Sequence, residues 1–271
     1  MNYLKFEFEI ENDVENEILI ALLSNAGFES FEEERKMLKA FISEKDLNED
    51  ELSEILKIVP VKYTQILIPP QNWNAEWESS FEPVIVDGFV AVRAGFHTPV
   101  KNVQHEIIIT PKMSFGTGHH ATTYLMMGQM AELDIAGKTV LDFGTGTAVL
   151  AILAEKMGAA KIDAIDNDDW SIENAGENIK ANDCSKIAIH KGETVSLNNT
   201  YDIVLANINL NVILANLDAI AAVSKTGTHV LLSGFLKGDE AVFFEKLSGY
   251  KFSHLKTVQK GEWICMLIRV D

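Results

Sequence analysis

Leu4, Phe6, Phe8 and Ile10 alternate with Lys5, Glu7 and Glu9. A period of two predicts a half-buried strand. Val14, Ile18, Leu22 and Leu23 then recur at helical spacing, and Gly27 ends the helix they predict. Phe28 to Phe41 reads as a hairpin or two short strands. Asp46-Leu47-Asn48-Glu49-Asp50 opens a second helix with Leu52, Ile55 and Leu56 on one face, and Val61 to Ile68 reads as another strand. The order β-α-β-β-α-β predicts a small α+β, ferredoxin-like domain over residues 1–68. That fold alone names no function.

Pro69-Pro70 punctuates the chain, and residues 69–82 read as an interdomain linker or helix. Trp73, Trp77 and Phe81 stand at i, i+4 and i+8, a stripe expected to pack on the domain that follows. Beyond Pro83 the pattern changes. Apolar runs predict strands at 84–93, 106–110, 139–143, 161–166, 187–190, 201–206, 228–234, 251–258 and 262–269. Helical patterns fall near 148–157, 170–182, 210–223 and 238–248. Such alternation predicts an α/β domain at 83–271, a Rossmann-like, mostly parallel doubly wound sheet.

Composition narrows the class. Apolar residues make up 47 % of 271, ample for a packed core, and no apolar run is long enough to predict a membrane span. The N-terminus lacks the basic start and continuous apolar stretch of a secretory signal. Cys184 and Cys265 stand far apart and form no CxxC pair, which fits a reduced, cytoplasmic protein. The net charge is −17, and residues 1–60 carry 16 acidic against 6 basic side chains. No basic stripe predicts nucleic-acid binding. An acidic first domain attracts a basic partner or simply keeps the chain soluble.

The chemistry begins at the first βα turn of the larger domain, Val140-Leu141-Asp142-Phe143-Gly144-Thr145-Gly146-Thr147-Ala148-Val149-Leu150. Gly144 and Gly146 let a backbone approach a ligand closely, and the helix start offers free N–H groups. A dinucleotide fingerprint needs a third glycine where Val149 stands, so a ligand without a pyrophosphate fits better. The next strand ends in Asp166, where a carboxylate can accept both ribose hydroxyls of a nucleoside. Its neighbours Asp168 and Asp169 suit a helix cap. The fourth strand ends in Asn207-Ile208-Asn209. A side-chain amide oxygen there can accept from the N–H groups of an incoming amine and aim it, although a turn asparagine would occupy the same place. His119-His120 has no third ligand at useful spacing, so no metal site is expected.

The stretch Phe115-Gly116-Thr117-Gly118-His119-His120-Ala121-Thr122-Thr123 resembles the signature of the ribosomal protein L-eleven methyltransferases. So do Val140 to Ile152, Ile165-Asp166-Asn167-Asp168, Ala206-Asn207-Ile208, Leu232-Ser233-Gly234-Phe235-Leu236 and Gly261-Glu262-Trp263, while Trp73 to Phe81 resembles the interdomain region. The resemblance implies a class I, Rossmann-like enzyme that uses S-adenosyl-L-methionine, with a first domain that recognises ribosomal protein L-eleven and methyl transfer to its lysine side chains or N-terminal amine. It places Thr123 near the methionine end of the cofactor, Gly144 beneath it, Asp166 on the ribose and Asn207 at the methyl end, where it would be catalytic. Two residues depart from the pattern, Ala148 in place of a glycine and Asn167 in place of an apolar residue, and both bear on cofactor affinity. Methyl transfer to another protein, such as a release-factor glutamine, or to a small amine is the alternative. The release-factor enzymes carry Asn-Pro-Pro-Tyr at the fourth strand, which Asn207-Ile208-Asn209-Leu210 lacks. Intact residues at Thr123, Gly144, Asp166 and Asn207 argue against a binding module without catalysis.

Overall fold

On β1 (Tyr3–Glu9) Leu4, Phe6 and Phe8 are buried, while Lys5 and Glu7 are half-buried on the opposite side. The computed structural model describes residues 2–68, 81–112, 116–195 and 199–271. The chain divides into two units, Met1–Ser80 and Phe81–Asp271. In the first, β1 is followed by a helix at Asp13–Asn25, β2 (Ser30–Glu34), β3 (Met37–Ser43), a helix at Glu49–Ile58 and β4 (Tyr63–Ile68). The sheet order is β2-β3-β1-β4 with every neighbour antiparallel, the ferredoxin-like topology. Asn12 and Asn48 cap the helices, accepting from the backbone N–H of Glu15 and Glu51. Leu19, Leu23, Leu52 and Ile55 bury against Phe6, Phe8, Leu38 and Ile42. Burying one such side chain is worth about 1.5–3 kcal/mol. The first helix departs from its predicted stripe. Leu19 and Leu23 face the core, whereas Val14 and Ile18 are exposed. Burial of Leu19 and Leu23 with Phe6, Phe8, Leu38 and Ile42 accompanies that rotation.

The second unit holds two sheets. The smaller comprises β5 (Val84–Val86), β6 (Val90–Ala94) and β7 (His105–Ile109). A single strand was expected over 84–93. Asp87 and Gly88 instead adopt left-handed φ of 46° and 70° and turn the chain back between β5 and β6. The larger sheet contains β8 (Thr139–Phe143), β9 (Lys161–Asp166), β10 (Ile187–Lys191), β11 (Tyr201–Asn207), β12 (Ser224–Leu236), β13 (Phe252–Lys260) and β14 (Trp263–Val270). Its order is β10-β9-β8-β11-β12-β14-β13. The first five run parallel, and β14 lies antiparallel to β12 and β13.

Both faces of this sheet are covered. Val140, Ile162, Ile203 and Leu205 pack with the helices at Ala121–Met130 and Val149–Lys156. Leu141, Ile165, Val204 and Ala206 pack with Ile213, Leu217, Ile220 and Phe243. Two-sided burial is why these strands read as continuous apolar runs. The helix expected over 210–223 breaks into Leu210–Ala215 and Leu217–Ala222 at Asn216, whose side chain donates back to the Val212 carbonyl at 2.9 Å. Among the described residues no helix is long and apolar enough to cross a membrane.

Asp202 ties the sheet together at the opposite end from the strand tips that carry the motifs. It accepts from the Thr139 N–H at 2.9 Å and hydroxyl at 2.8 Å, and pairs with Lys225 at 2.7 Å. Burial disfavours its charge, but Lys225 and the Thr139 bonds outweigh that and draw the carboxyl down to about 2. A lowered folded-state value adds stability above the unfolded pKa, and that stability is lost as pH falls from about 4 towards 2. Asp202→Asn should therefore be less stable than the parent by on the order of 1–2 kcal/mol at pH 7, with the gap narrowing below about pH 4. Urea titrations at pH 7 and pH 3.5 measure it, and an equal gap at both would remove the charge from the explanation.

Candidate active site

The chain runs from β8 outward to β9 and β10, then returns to β11 on the other side of β8. Open α/β sheets bind ligands at such a reversal, beyond the C-terminal ends of the strands. A cavity of about 490 Å³ lies there, lined by Phe143, Gly144, Gly146, Asp166, Asn167, Asn207, Ile208, Gly234, Trp263 and His120 among others.

The turn after β8 is held by the end of β9. The N–H groups of Gly144 and Thr145 both donate to the Ile165 carbonyl, at 2.8 and 2.9 Å. The Gly146 N–H donates to Asp166 Oδ2 at 2.8 Å. Gly144 has φ of 76°, and a Cβ there would lie 2.1 Å from Ile208 Cγ2, so no side chain fits. Beneath the turn, Thr145 Oγ1 donates to the buried Asp142 at 2.6 Å, and burial pushes the Asp142 carboxyl up to about 6. Asp166 Oδ1 also accepts from the Asp168 N–H at 3.1 Å. Two backbone bonds leave a carboxylate with lone pairs for a ligand. Asp168 itself caps the helix Asp169–Ala181 through the Ser171 N–H.

Asn207 closes β11 and also lines the cavity. Its Nδ2 donates to Thr123 Oγ1 at 3.1 Å. Its Oδ1 is buried without a hydrogen-bond partner. The cap of the following helix falls to Asn209, which accepts from the Val212 N–H. Gly234 makes room for this bend: a Cβ on it would meet the Ile208 carbonyl oxygen at 2.2 Å. His120 and Trp263 meet edge to face at 4.6 Å between ring centroids.

Four of the five residues proposed from sequence, Gly144, Gly146, Asp166 and Asn207, line one cavity. Thr123 is fully buried in the first turn of the helix Ala121–Met130 and meets Asn207 from behind. His120, Ile208, Gly234 and Trp263 had no role assigned from sequence. Gly234 and Trp263 stood in matched motifs, but β12 and β14 bring them to the cavity only through their pairing in the sheet. His119 and His120 diverge, His119 towards the Glu82 carbonyl at 2.8 Å and His120 towards Thr122 and Trp263. Among the described residues no group of three or more His, Cys, Asp or Glu side chains converges to hold a metal. Trp73 and Trp77 lie outside the described residues, as does Phe115, while Phe81 packs on His119 with ring centroids 4.6 Å apart.

The cavity fits S-adenosylmethionine. Its lining includes the Asp166 carboxylate, the Asn207 amide and Gly144, where a Cβ would collide with Ile208. Residues 6–271 match the family model described as Ribosomal protein L11 methyltransferase (PrmA). A ribosomal protein L11 methyltransferase from Chlorobaculum tepidum is 41 % identical over 281 aligned residues, covering 98 % of this chain and 96 % of the relative. One from Bacteroides fragilis is 35 % identical over 273, covering 97 % and 98 %. The crystal structure of a ribosomal protein L11 methylase from Lactobacillus delbrueckii subsp. bulgaricus superposes with a TM-score of 0.66 at 27 % identity, over 70 % of this chain and all of that one. With this similarity along nearly its whole length, the chain belongs to the ribosomal protein L11 methyltransferase family.

Proposed function

We propose that this S-adenosylmethionine-dependent methyltransferase acts on amino groups of ribosomal protein L11, at lysine side chains, the N-terminal amine or both. The observation that carries the chemistry is the Asn207 amide, with its nitrogen held by Thr123 and its buried oxygen unpartnered in the cavity wall. An amide oxygen accepts N–H and cannot donate, so it orients an amine with its lone pair turned away towards the reacting carbon. Bound S-adenosylmethionine supplies an electrophilic methyl group on a sulfonium. Asp166 accepts the ribose hydroxyls while keeping its bonds to Gly146 and Asp168. Thr123 is a positioning residue, because it fixes which way the Asn207 amide faces.

The first unit serves, in this reading, to recognise the substrate. Residues 1–60 are strongly acidic, and ribosomal proteins are basic because they bind RNA phosphates. Attraction between exposed charges fades beyond about 8–10 Å at physiological salt, so substrate binding should weaken as salt rises. A fragment starting near Gln71 should bind S-adenosylmethionine like the full chain yet lose most methylation of L11. Calorimetry and mass spectrometry of labelled L11 measure the two, and a fragment as active as the full chain would refute the recognition role.

Asp166→Ala removes two bonds to a charged acceptor. Cofactor affinity should fall roughly tenfold or more, and an unchanged dissociation constant would sink the ribose assignment. Asn207→Ala should lower kcat on the order of a hundredfold, the scale of lost alignment, with little change in melting temperature. Turnover at the parental rate would reduce Asn207 to a structural residue.

A further inference from the structure

Strand β7 pairs with β6 along one edge. Its other edge is met by side chains. The helix Asp169–Ala181 and its C-cap present asparagines at 174, 178 and 182, each one turn from the next. Asn182 accepts from the Ile108 N–H at 2.9 Å and donates to the Ile108 carbonyl at 2.6 Å. Asn178 accepts from the Thr110 N–H at 2.7 Å, and Asn174 donates to the Thr110 carbonyl at 3.1 Å. Four residues of helix rise about 6 Å, close to the span of two residues of strand, so the amides match alternate backbone groups as a neighbouring strand would.

Asn178 does something more. Its Nδ2 donates to the Thr147 carbonyl at 2.9 Å, in the glycine-rich turn. Thr147 in turn donates its hydroxyl to the Gly116 carbonyl at 2.7 Å. Asn174 and Asn178 are fully buried. One buried amide therefore joins the end of β7 to the turn beside Gly146, and through Thr147 to the loop that carries His120. The helix holding that amide starts three residues beyond Asp166.

We infer that Asn178 is a positioning residue for the methyl donor, a clamp that holds the 116–120 loop, the 144–148 turn and the helix after the ribose acid in one arrangement. This rests on the reading that the cavity takes S-adenosylmethionine. Only an amide serves here, because one end must accept from Thr110 and the other donate to Thr147. Aspartate keeps the shape but sets a carboxylate oxygen against the Thr147 carbonyl. Asn182 is the control, since its bonds reach Ile108 and its own helix but neither cofactor loop.

The test compares the full-length parent, Asn178→Asp and Asn182→Ala by calorimetric titration with S-adenosylmethionine, by melting temperature without ligand, and by kcat at saturating donor. Asn178→Asp should raise the dissociation constant roughly tenfold, the scale of one broken buried hydrogen bond, and leave kcat within about twofold. Asn182→Ala should lower the melting temperature and leave donor affinity unchanged. An unchanged dissociation constant in Asn178→Asp overturns the inference while the cavity reading stands. So does a loss of affinity in both variants that merely follows their loss of melting temperature. If the parent binds no donor, the cavity reading falls and takes the inference with it. Where Asn178→Asp does not fold, Thr147→Val removes only the hydroxyl link to Gly116, and the same split applies: weaker binding supports the clamp, unchanged binding overturns it.

Discussion

The site depends on the end of β9 acting as a hydrogen-bond acceptor for the turn after β8. Three successive N–H groups, from Gly144, Thr145 and Gly146, point at the Ile165 carbonyl and the Asp166 carboxylate. Without those acceptors a turn with positive φ at Gly144, Gly146 and Ala148 has little reason to persist. Ala148 shows the balance. A left-handed alanine costs roughly 1–2 kcal/mol. Its methyl is fully buried, which returns about 0.8 kcal/mol per buried carbon. The bond from the Ala148 N–H to the Thr145 carbonyl at 2.8 Å adds to that. A small side chain is therefore tolerated where the family pattern has glycine.

Asp166 has two tasks in this arrangement. It braces the turn through Gly146 and faces the cavity with its remaining lone pairs. Asn207, also among the cavity-lining residues, donates from its nitrogen to Thr123, and its oxygen is buried without a protein partner. Both side chains are thus held by hydrogen bonds inside the protein, Asp166 by two and Asn207 by one, so little ordering of them remains to be done when a ligand binds.

The two units divide chemistry from charge. Every residue assigned to the cofactor lies in Phe81–Asp271, whose large sheet is buried on both faces. The acidic excess is concentrated in residues 1–60, on a small sheet with helices on one face. Lys5–Glu7 and Lys39–Glu34 ion pairs occupy the other face. Surface pairs of this kind add little stability.

The sequence by itself determined most of the element order, the parallel sheet and the residues at the ends of β8, β9 and β11 that line the cavity. Those follow from local periods and from residues such as Gly144, Asp166 and Asn207 whose chemistry is carried by type and position. The Asp87-Gly88 turn does interrupt the apolar run at 84–93 and marks the hairpin that a single-strand reading passes over, whereas apolar spacing runs through the break at Asn216. The sequence alone could not turn the first helix so that Leu19 rather than Val14 faces inward. Tertiary structure alone decided that Thr123 stands behind Asn207, and that Gly234, Trp263 and His120 share its cavity. It also decided that Asn178 reaches both Thr110 and Thr147. The physical reason is one of range. Periodicity and turn chemistry act over a few residues, whereas these contacts join positions dozens of residues apart and exist only once the strands have chosen their neighbours.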